Sequence, residues 1–276
     1  MAQRIITLTT DFGVSDHFVG TMKGVILNIN PDAKIVDLCN AVHSYDVLDG
    51  ALTIAQAYRY FPADTVHVVL VDPGVGSSRR PILAVTERHM FIAPDNGVLS
   101  LVYEREERLS VRHITAEHYF LQPLSQTFHG RDIFAAVAGW LSKGVEVSKF
   151  GDEITDYARF AAPKPKPVNE NLLKGVVLKT DKFGNLITNI TPADAPRLFQ
   201  PEPPAFKIFI GKIEITKMKT AYAQGAAGEV FGILNSMGYL EIATNRGTAN
   251  KLVTADRGSE VGVYFEAAGQ PAPAAG

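Results

Sequence analysis

Two short stretches concentrate the groups that could do chemistry. In residues 66–80, VHVVLVDPGVGSSRR, an apolar run leads into Asp72, followed by Pro73, Gly74, Gly76, two serines and the pair Arg79 and Arg80. In residues 126–134, QTFHGRDIF, His129 and Gly130 precede Arg131 and Asp132. A carboxylate at the end of a buried strand lies where α/β proteins keep their ligands, at the carboxyl edge of the sheet. Either arginine beside it would keep it ionised, and the glycines would let backbone approach a ligand. A histidine at a loop edge adds a group that titrates near neutrality. Together such groups could hold a water and take its proton. Each also has a plain structural use: Asp72 as a turn former, the arginines as a solvated pair, Asp132 as an acid in the first turn of a helix.

Other polar groups fall at similar places. Asp11 ends the strand-like RIITLTT, and APDNG puts Asp95 and Asn96 after a further strand. Parallel neighbours would bring these to one sheet edge. The loop GVGSSRR lacks the Gly-Lys-Ser/Thr of a phosphate-binding loop, and no HExxH spacing occurs. Carboxylates such as Asp11, Asp16, Asp72 and Asp95 remain compatible with Mg²⁺. In TDKFGNLITNI, residues 180–190, Asp181, Phe183 and Asn185 share a tight turn, where an aromatic beside an amide suits a planar heterocycle. Residues 234–250 carry Asn235, Ser236 and Gly238 in one turn and Asn245, Arg246 and Gly247 in another.

The elements that must position these groups change character along the chain. Up to about residue 160, strand and helix patterns alternate: helices over 15–30 (with Ser15 as a cap), 46–61 and 130–144, strands at RIITLTT, KIVDLC and VHVVLVD, and two more short strands joined by a turn in PILAVTERHMFIAPDNG. This predicts an α/β domain, residues 1–165, with a mostly parallel sheet covered on both faces. The segment AAPKPKPVNEN, 161–171, has the composition of a spacer. Beyond it come short strand-like segments at close intervals, which predict a smaller all-β, barrel-like domain over residues 166–276, ending in a disordered tail, 267–276. Of 276 residues, 46% are hydrophobic and 20% charged, which fits a packed core, and the net charge of −2 gives no electrostatic reason to expect nucleic acid or an anionic membrane. No apolar run reaches the ~20 residues of a membrane helix. The first residues lack the layout of a signal peptide, and the single cysteine, Cys39, rules out an internal disulfide. The expected compartment is the cytoplasm.

The motifs TTDFG, VDPGVGSSRR, APDNG, TFHGRD, DKFGNLITNI and NSMGYLEIA, in this order, resemble the S-adenosyl-L-methionine (SAM) hydroxide adenosyltransferases, hydrolases related to fluorinase and chlorinase. The resemblance spans nearly the whole chain. It implies attack of water on the ribose C5′ of SAM, giving adenosine and methionine, with no metal and no cofactor. It implies a triad of Asp72, Arg79 and His129, with Asp11 on the ribose hydroxyls and Tyr45 packed around the ribose. It further implies that Asp181 and Ser236 meet the methionine end, and that Phe183, Asn185, Asn245 and Arg246 meet the adenine end. Met237 departs from the pattern, since the halogenases carry arginine there. The resemblance also implies a homotrimer with its sites at subunit interfaces, and a link to the (R)-sulfonium epimer of SAM. Two other classes stay open: a SAM- or adenosine-binding sensor without turnover, and a Mg²⁺-dependent phosphohydrolase built on the aspartates.

Overall fold

The computed structural model describes residues 4–266, and the tail expected to be disordered, 267–276, lies outside the described residues. The chain divides into two compact units, Met1–Ala162 and Pro163–Gly276. Among the described residues the first unit has a seven-stranded sheet: β1 (Ile5–Thr10), β2 (Lys34–Cys39), β3 (Thr65–Leu70), β4 (Pro81–Thr86), β5 (His89–Pro94), β6 (Leu109–His113) and β7 (Glu153–Ile154), in the order β2-β1-β3-β5-β4-β6-β7. Its helices are α1 (Phe18–Ile29), α2 (Val47–Ala57), α3 (Ser100–Tyr103) and α4 (Ala136–Ser142).

The expectation of a mostly parallel sheet is corrected. The pairings β2-β1, β1-β3 and β3-β5 are parallel, but β5-β4, β4-β6 and β6-β7 are antiparallel. The cause is local. Only Glu87 and Arg88 separate β4 from β5, and a link that short can join only antiparallel neighbours. Thr86 tightens it, its hydroxyl donating to the His89 carbonyl and accepting from the His89 amide, both at 3.1 Å.

Alternation along β3 builds the two cores that hold this sheet. Val66, Val68 and Leu70 face a cluster with Ile6, Leu8, Met22, Ile26, Phe134, Val137 and Leu141, which brings α1 and α4 onto one face. Val69 faces the other cluster, with Ile54, Phe91, Val98 and Val102 from the side of α2 and α3. The expected Ser15 cap is also corrected: α1 begins at Phe18, and its cap position is His17, whose side chain makes no capping bond. In α2 the cap is Asp46, which accepts from the Asp49 amide at 3.0 Å.

Among the described residues the second unit has nine strands: β8 (Lys166–Asn169), β9 (Leu172–Thr180), β10 (Leu186–Thr188), β11 (Phe206–Ile210), β12 (Ile213–Ile215), β13 (Met218–Lys219), β14 (Val230–Leu234), β15 (Leu240–Thr244) and β16 (Glu260–Phe265), with one short α-helix, α5 (Ala249–Val253). They run β12-β11-β16-β9-β10-β15-β14-β13, with β8 also on β9, and all pairings are antiparallel except β13-β14. Strand β8 falls inside the stretch expected to be a spacer. Phe206, Ile208 and Ile210 of β11 and Val261, Val263 and Phe265 of β16 point inward, while Lys207 and Phe209 point away. One apolar face therefore closes on itself, and β12 meets β14 from the far side of the order, curling the sheet into a half-barrel.

Candidate active site

In the first unit three strand ends meet at one edge. After β3 the chain adds Val71 and Asp72, and the Asn96 side chain, beyond β5, donates through Nδ2 to the Val71 carbonyl at 2.8 Å. The loop then folds on itself. The Ser77 hydroxyl donates to the Gly74 carbonyl at 2.6 Å, and Gly76 takes φ +76° against the Gln126 carbonyl, where a Cβ would collide. This reversal returns Arg79 to Asp72. Arg79 Nε donates to both carboxylate oxygens, at 3.1 and 2.9 Å, and Nη2 reaches Oδ2 at 2.5 Å. Both side chains are 9% exposed. In that setting a charge needs its partner, and a fork-to-carboxylate pair supplies geometry as well as charge.

The third group arrives from another loop. Arg79 Nη2 lies 2.9 Å from His129 Nδ1. A guanidinium has only donors, so Nδ1 accepts and the ring proton sits on Nε2. Burial, and then the Arg79 charge, pull the His129 pKa below the ordinary 6.5, which keeps the ring neutral. His129 Nε2 is buried and has no hydrogen-bond partner among the described residues. The ring is held by a wide helical turn, Gly130–Ala135, that runs into α4. Gly130 leaves room for Phe12, Leu70 and Phe128. Fully buried Asp132 accepts from the Ser125 amide at 2.8 Å and from Arg131, pinning the loop before the histidine.

Beside these polar groups is a small cavity of about 130 Å³, lined by Phe12, Phe18, Leu70, Phe128 and Phe134, with Asp72 and His129 in its wall. Phe12, Phe18 and Phe128 pack edge to face or tilted, with centroids 5.3 to 6.1 Å apart. Arg79 lies over the Phe134 ring at 5.3 Å. The surroundings are thus apolar and the few polar groups converge.

Asp11 and Tyr45 form a second pair in this unit. Asp11 Oδ2 accepts from the Tyr45 amide at 2.8 Å. That bond holds Tyr45 at φ +66°, strained for a side chain of its size, with the phenol 74% exposed. Arg80 is placed elsewhere: it pairs with Asp95 Oδ2 at 2.7 Å and Asp156 Oδ1 at 2.8 Å. The aspartates considered for Mg²⁺ are thereby separated in role. Asp72 goes to Arg79, Asp95 to Arg80, Asp11 to a backbone amide, and Asp16 is exposed. Among the described residues no three His, Cys, Asp or Glu side chains are grouped to hold a metal ion.

In the second unit, Asp181 organises its turn. Its Oδ1 accepts from the amides of Phe183 and Asn185 at 2.9 and 2.8 Å, and Oδ2 from the Asn185 side chain at 3.1 Å. Gly184, at φ +85°, lies against Thr248 where a side chain would not fit. Phe183 is left 73% exposed, and Asn185 Oδ1 is buried with no partner among the described residues. The antiparallel register Leu186↔Ile242 sets Asn185 beside the end of β15, which leads into Asn245 and Arg246. Asn245 donates to the Gly225 carbonyl at 2.9 Å, and exposed Arg246 takes φ +53°. Ser236 is exposed in the turn that joins β14 to β15. Sequence reasoning missed Asn96 as the brace on Val71 and missed Glu241, which is 3% exposed. A glutamate that interrupts an otherwise apolar strand, LEIAT, was the available signal for the latter.

Comparison with known proteins adds an independent observation. A family model described as the SAM hydroxide adenosyltransferase N-terminal domain matches residues 6–151, and one described as its C-terminal domain matches residues 175–262. A protein of Methanocaldococcus jannaschii named (R)-S-adenosyl-L-methionine hydrolase is 34% identical, with 95% of this chain and 96% of that protein covered. A fluorinase of Nocardia brasiliensis is 28% identical over 87% of this chain and 90% of its own. The crystal structure of an uncharacterized conserved protein from Thermotoga maritima superimposes with a TM-score of 0.86 at 36% identity, covering 94% of this chain and 99% of that one.

Proposed function

The chain belongs to the SAM hydroxide adenosyltransferase family, and on that footing we propose that it hydrolyses SAM, in its (R)-sulfonium form, to adenosine and methionine. The observation that carries this reading is the buried contact of Asp72, Arg79 and His129 beside an apolar cavity. In this reaction the oxygen of a water forms a bond to C5′ as the C5′–S bond breaks. The bonding pair leaves with sulfur, and the sulfonium becomes a neutral thioether. The leaving group needs no acid, so the protein's task is the nucleophile: one oriented water, relieved of a proton, away from bulk solvent.

Each member of the triad has a part that its contacts suit. Asp72 Oδ1, which receives only the longer bond from Arg79, accepts a hydrogen of the water and takes the proton as the C–O bond forms. Arg79 grips both oxygens of that carboxylate and so fixes its plane. His129 has its Nδ1 lone pair engaged by Arg79, so it is a donor: Nε2–H points the water by hydrogen-bonding its oxygen, and it stabilises the developing hydroxide character. A proton relay through His129 is thereby the weaker option, and Asp72 is the base. The phenylalanines exclude competing water.

Asp11 suits the ribose diol, because a carboxylate can accept from two adjacent hydroxyls, and Tyr45 then lies over the sugar. Phe183, Asn185, Asn245 and Arg246 are assigned to adenine, Asp181 and Ser236 to the amino-acid end. Without the halogenases' arginine, Met237 leaves the substrate carboxylate to Ser236 and backbone amides. The reading includes a homotrimer, with sites at subunit interfaces, working in the cytoplasm without metal. The test is chromatography of the purified protein incubated with SAM epimeric at sulfur, with and without EDTA. Equal amounts of adenosine and methionine from the (R) epimer, unchanged by EDTA, are expected. Retention of SAM or adenosine without turnover would favour the sensor, and loss of activity with EDTA would favour the metal-dependent alternative.

A further inference from the structure

One buried carboxyl in the second unit has no part in the chemistry above. Glu241, the second residue of β15, is 3% exposed. Its Oε1 accepts from the Tyr222 hydroxyl at 2.9 Å and its Oε2 from the Asn235 side-chain amide at 3.1 Å. Burial raises its pKa, the two donors oppose that, and Asp181 stands near enough to raise it further. An apolar residue of similar size would be cheaper at such a position, so its presence calls for a reason other than stability.

Asn235 supplies one. Its Oδ1 accepts from the amides of Met237 and Tyr239, both at 3.0 Å, and its carbonyl accepts from the Gly238 amide at 3.0 Å. The conformation of the turn that presents Ser236 is therefore set by which way the Asn235 amide faces. The two faces of a carboxamide have nearly the same shape and opposite hydrogen-bonding character. A flip would aim an NH₂ group at two backbone N–H groups. The only partner of Asn235 Nδ2 among the hydrogen bonds of the described residues is Glu241, an acceptor, and Tyr222 fixes Glu241 in turn.

Resting on the SAM reading, we propose that Glu241 is a positioning residue: through Asn235 it holds the Ser236 turn in the form that binds the amino-acid end of the substrate. It acts on the ground-state grip of the methionine moiety and leaves the attack at C5′ to the other unit's residues.

The experiment compares Glu241→Leu, Glu241→Gln and Tyr222→Phe in the full chain by steady-state kinetics with SAM, alongside calorimetric binding of adenosine, which lacks the amino-acid end. Loss of the acceptor should raise KM about tenfold in Glu241→Leu, with kcat changing far less and adenosine affinity unchanged. Glu241→Gln should recover most of that, because Gln Oε1 can accept from Asn235 while Nε2 donates to the Tyr222 oxygen. Tyr222→Phe should raise KM in the same direction by less, and it decides the matter if the leucine variant does not fold. The proposal is overturned by an unchanged KM in both Glu241→Leu and Tyr222→Phe, by adenosine affinity falling in step with SAM, or by a glutamine variant as impaired as the leucine one. A wild-type chain that makes no adenosine removes the hydrolase reading and this proposal with it. Normal wild-type turnover with an unchanged KM in the variants removes this proposal alone.

Discussion

His129 shows how one contact decides a residue's role. Its Nδ1 faces a group that can only donate, so the ring must be neutral with its proton on Nε2. Protonation would place a hydrogen on Nδ1 against the Arg79 guanidinium and break the contact. Because burial and Arg79 lower its pKa from 6.5, that event comes only in acid. The expected kcat/KM profile is flat around neutrality and falls as pH drops through a value below 6.5. Replacing His129 with Ala should remove that limb and lower kcat by roughly 10²-fold, the scale of losing one donor to developing negative charge; an acid limb that persists unaltered in the variant would assign it to another group. The residue types at 72 and 129 were legible in the sequence. The residues alone left Arg79 and Arg80 open and only the resemblance named Arg79; consecutive residues of an extended chain point to opposite sides, so one of them alone can meet Asp72. One meets Asp72 and the other Asp95 and Asp156. Glu241 left only a single charged residue in the run LEIAT as its trace, and because all five residues of that strand are buried no alternation marks its side.

At the scale of elements, the site is two loops leaning on one another. The loop from Asp72 to Arg79 bends at Gly76, whose left-handed backbone touches the Gln126 carbonyl in the segment that carries His129. Gly76→Ala therefore meets two costs at once: about 1–2 kcal/mol for a side chain in the left-handed region, and a clash that separates the loops. It should lower the melting temperature modestly and kcat strongly, and a variant with wild-type kcat would show that the two loops need not touch. The strand-then-loop order around Asp72 could be read from hydrophobicity. The turn between the two short strands that follow is legible too, and its two-residue link reverses β4 against both of its neighbours, β5 and β6; that β6 and β7 complete the sheet is not legible, because they come from later in the chain. Nor does periodicity reveal that α4 is entered through a wider turn, at the point where His129 is attached.

For the whole molecule, each of the two units builds its own core in a different way: helices on both faces of a sheet in one, a single inward face in the other. The half-barrel appears only when β9 is seen paired with strands on both sides, from β16 to β10, contacts far apart in sequence. The division also separates tasks. The groups proposed to activate water, and Asp11, lie in the first unit, and the turns assigned in the proposal to adenine and methionine in the second. The central claim is that the oxygen of water becomes the 5′ oxygen of adenosine. It is tested most directly by running the reaction in H₂¹⁸O and analysing both products by mass spectrometry. The account predicts adenosine carrying one ¹⁸O at the 5′ position and methionine carrying none. Unlabelled adenosine, or methanol with S-adenosylhomocysteine from attack at the methyl carbon, would contradict it.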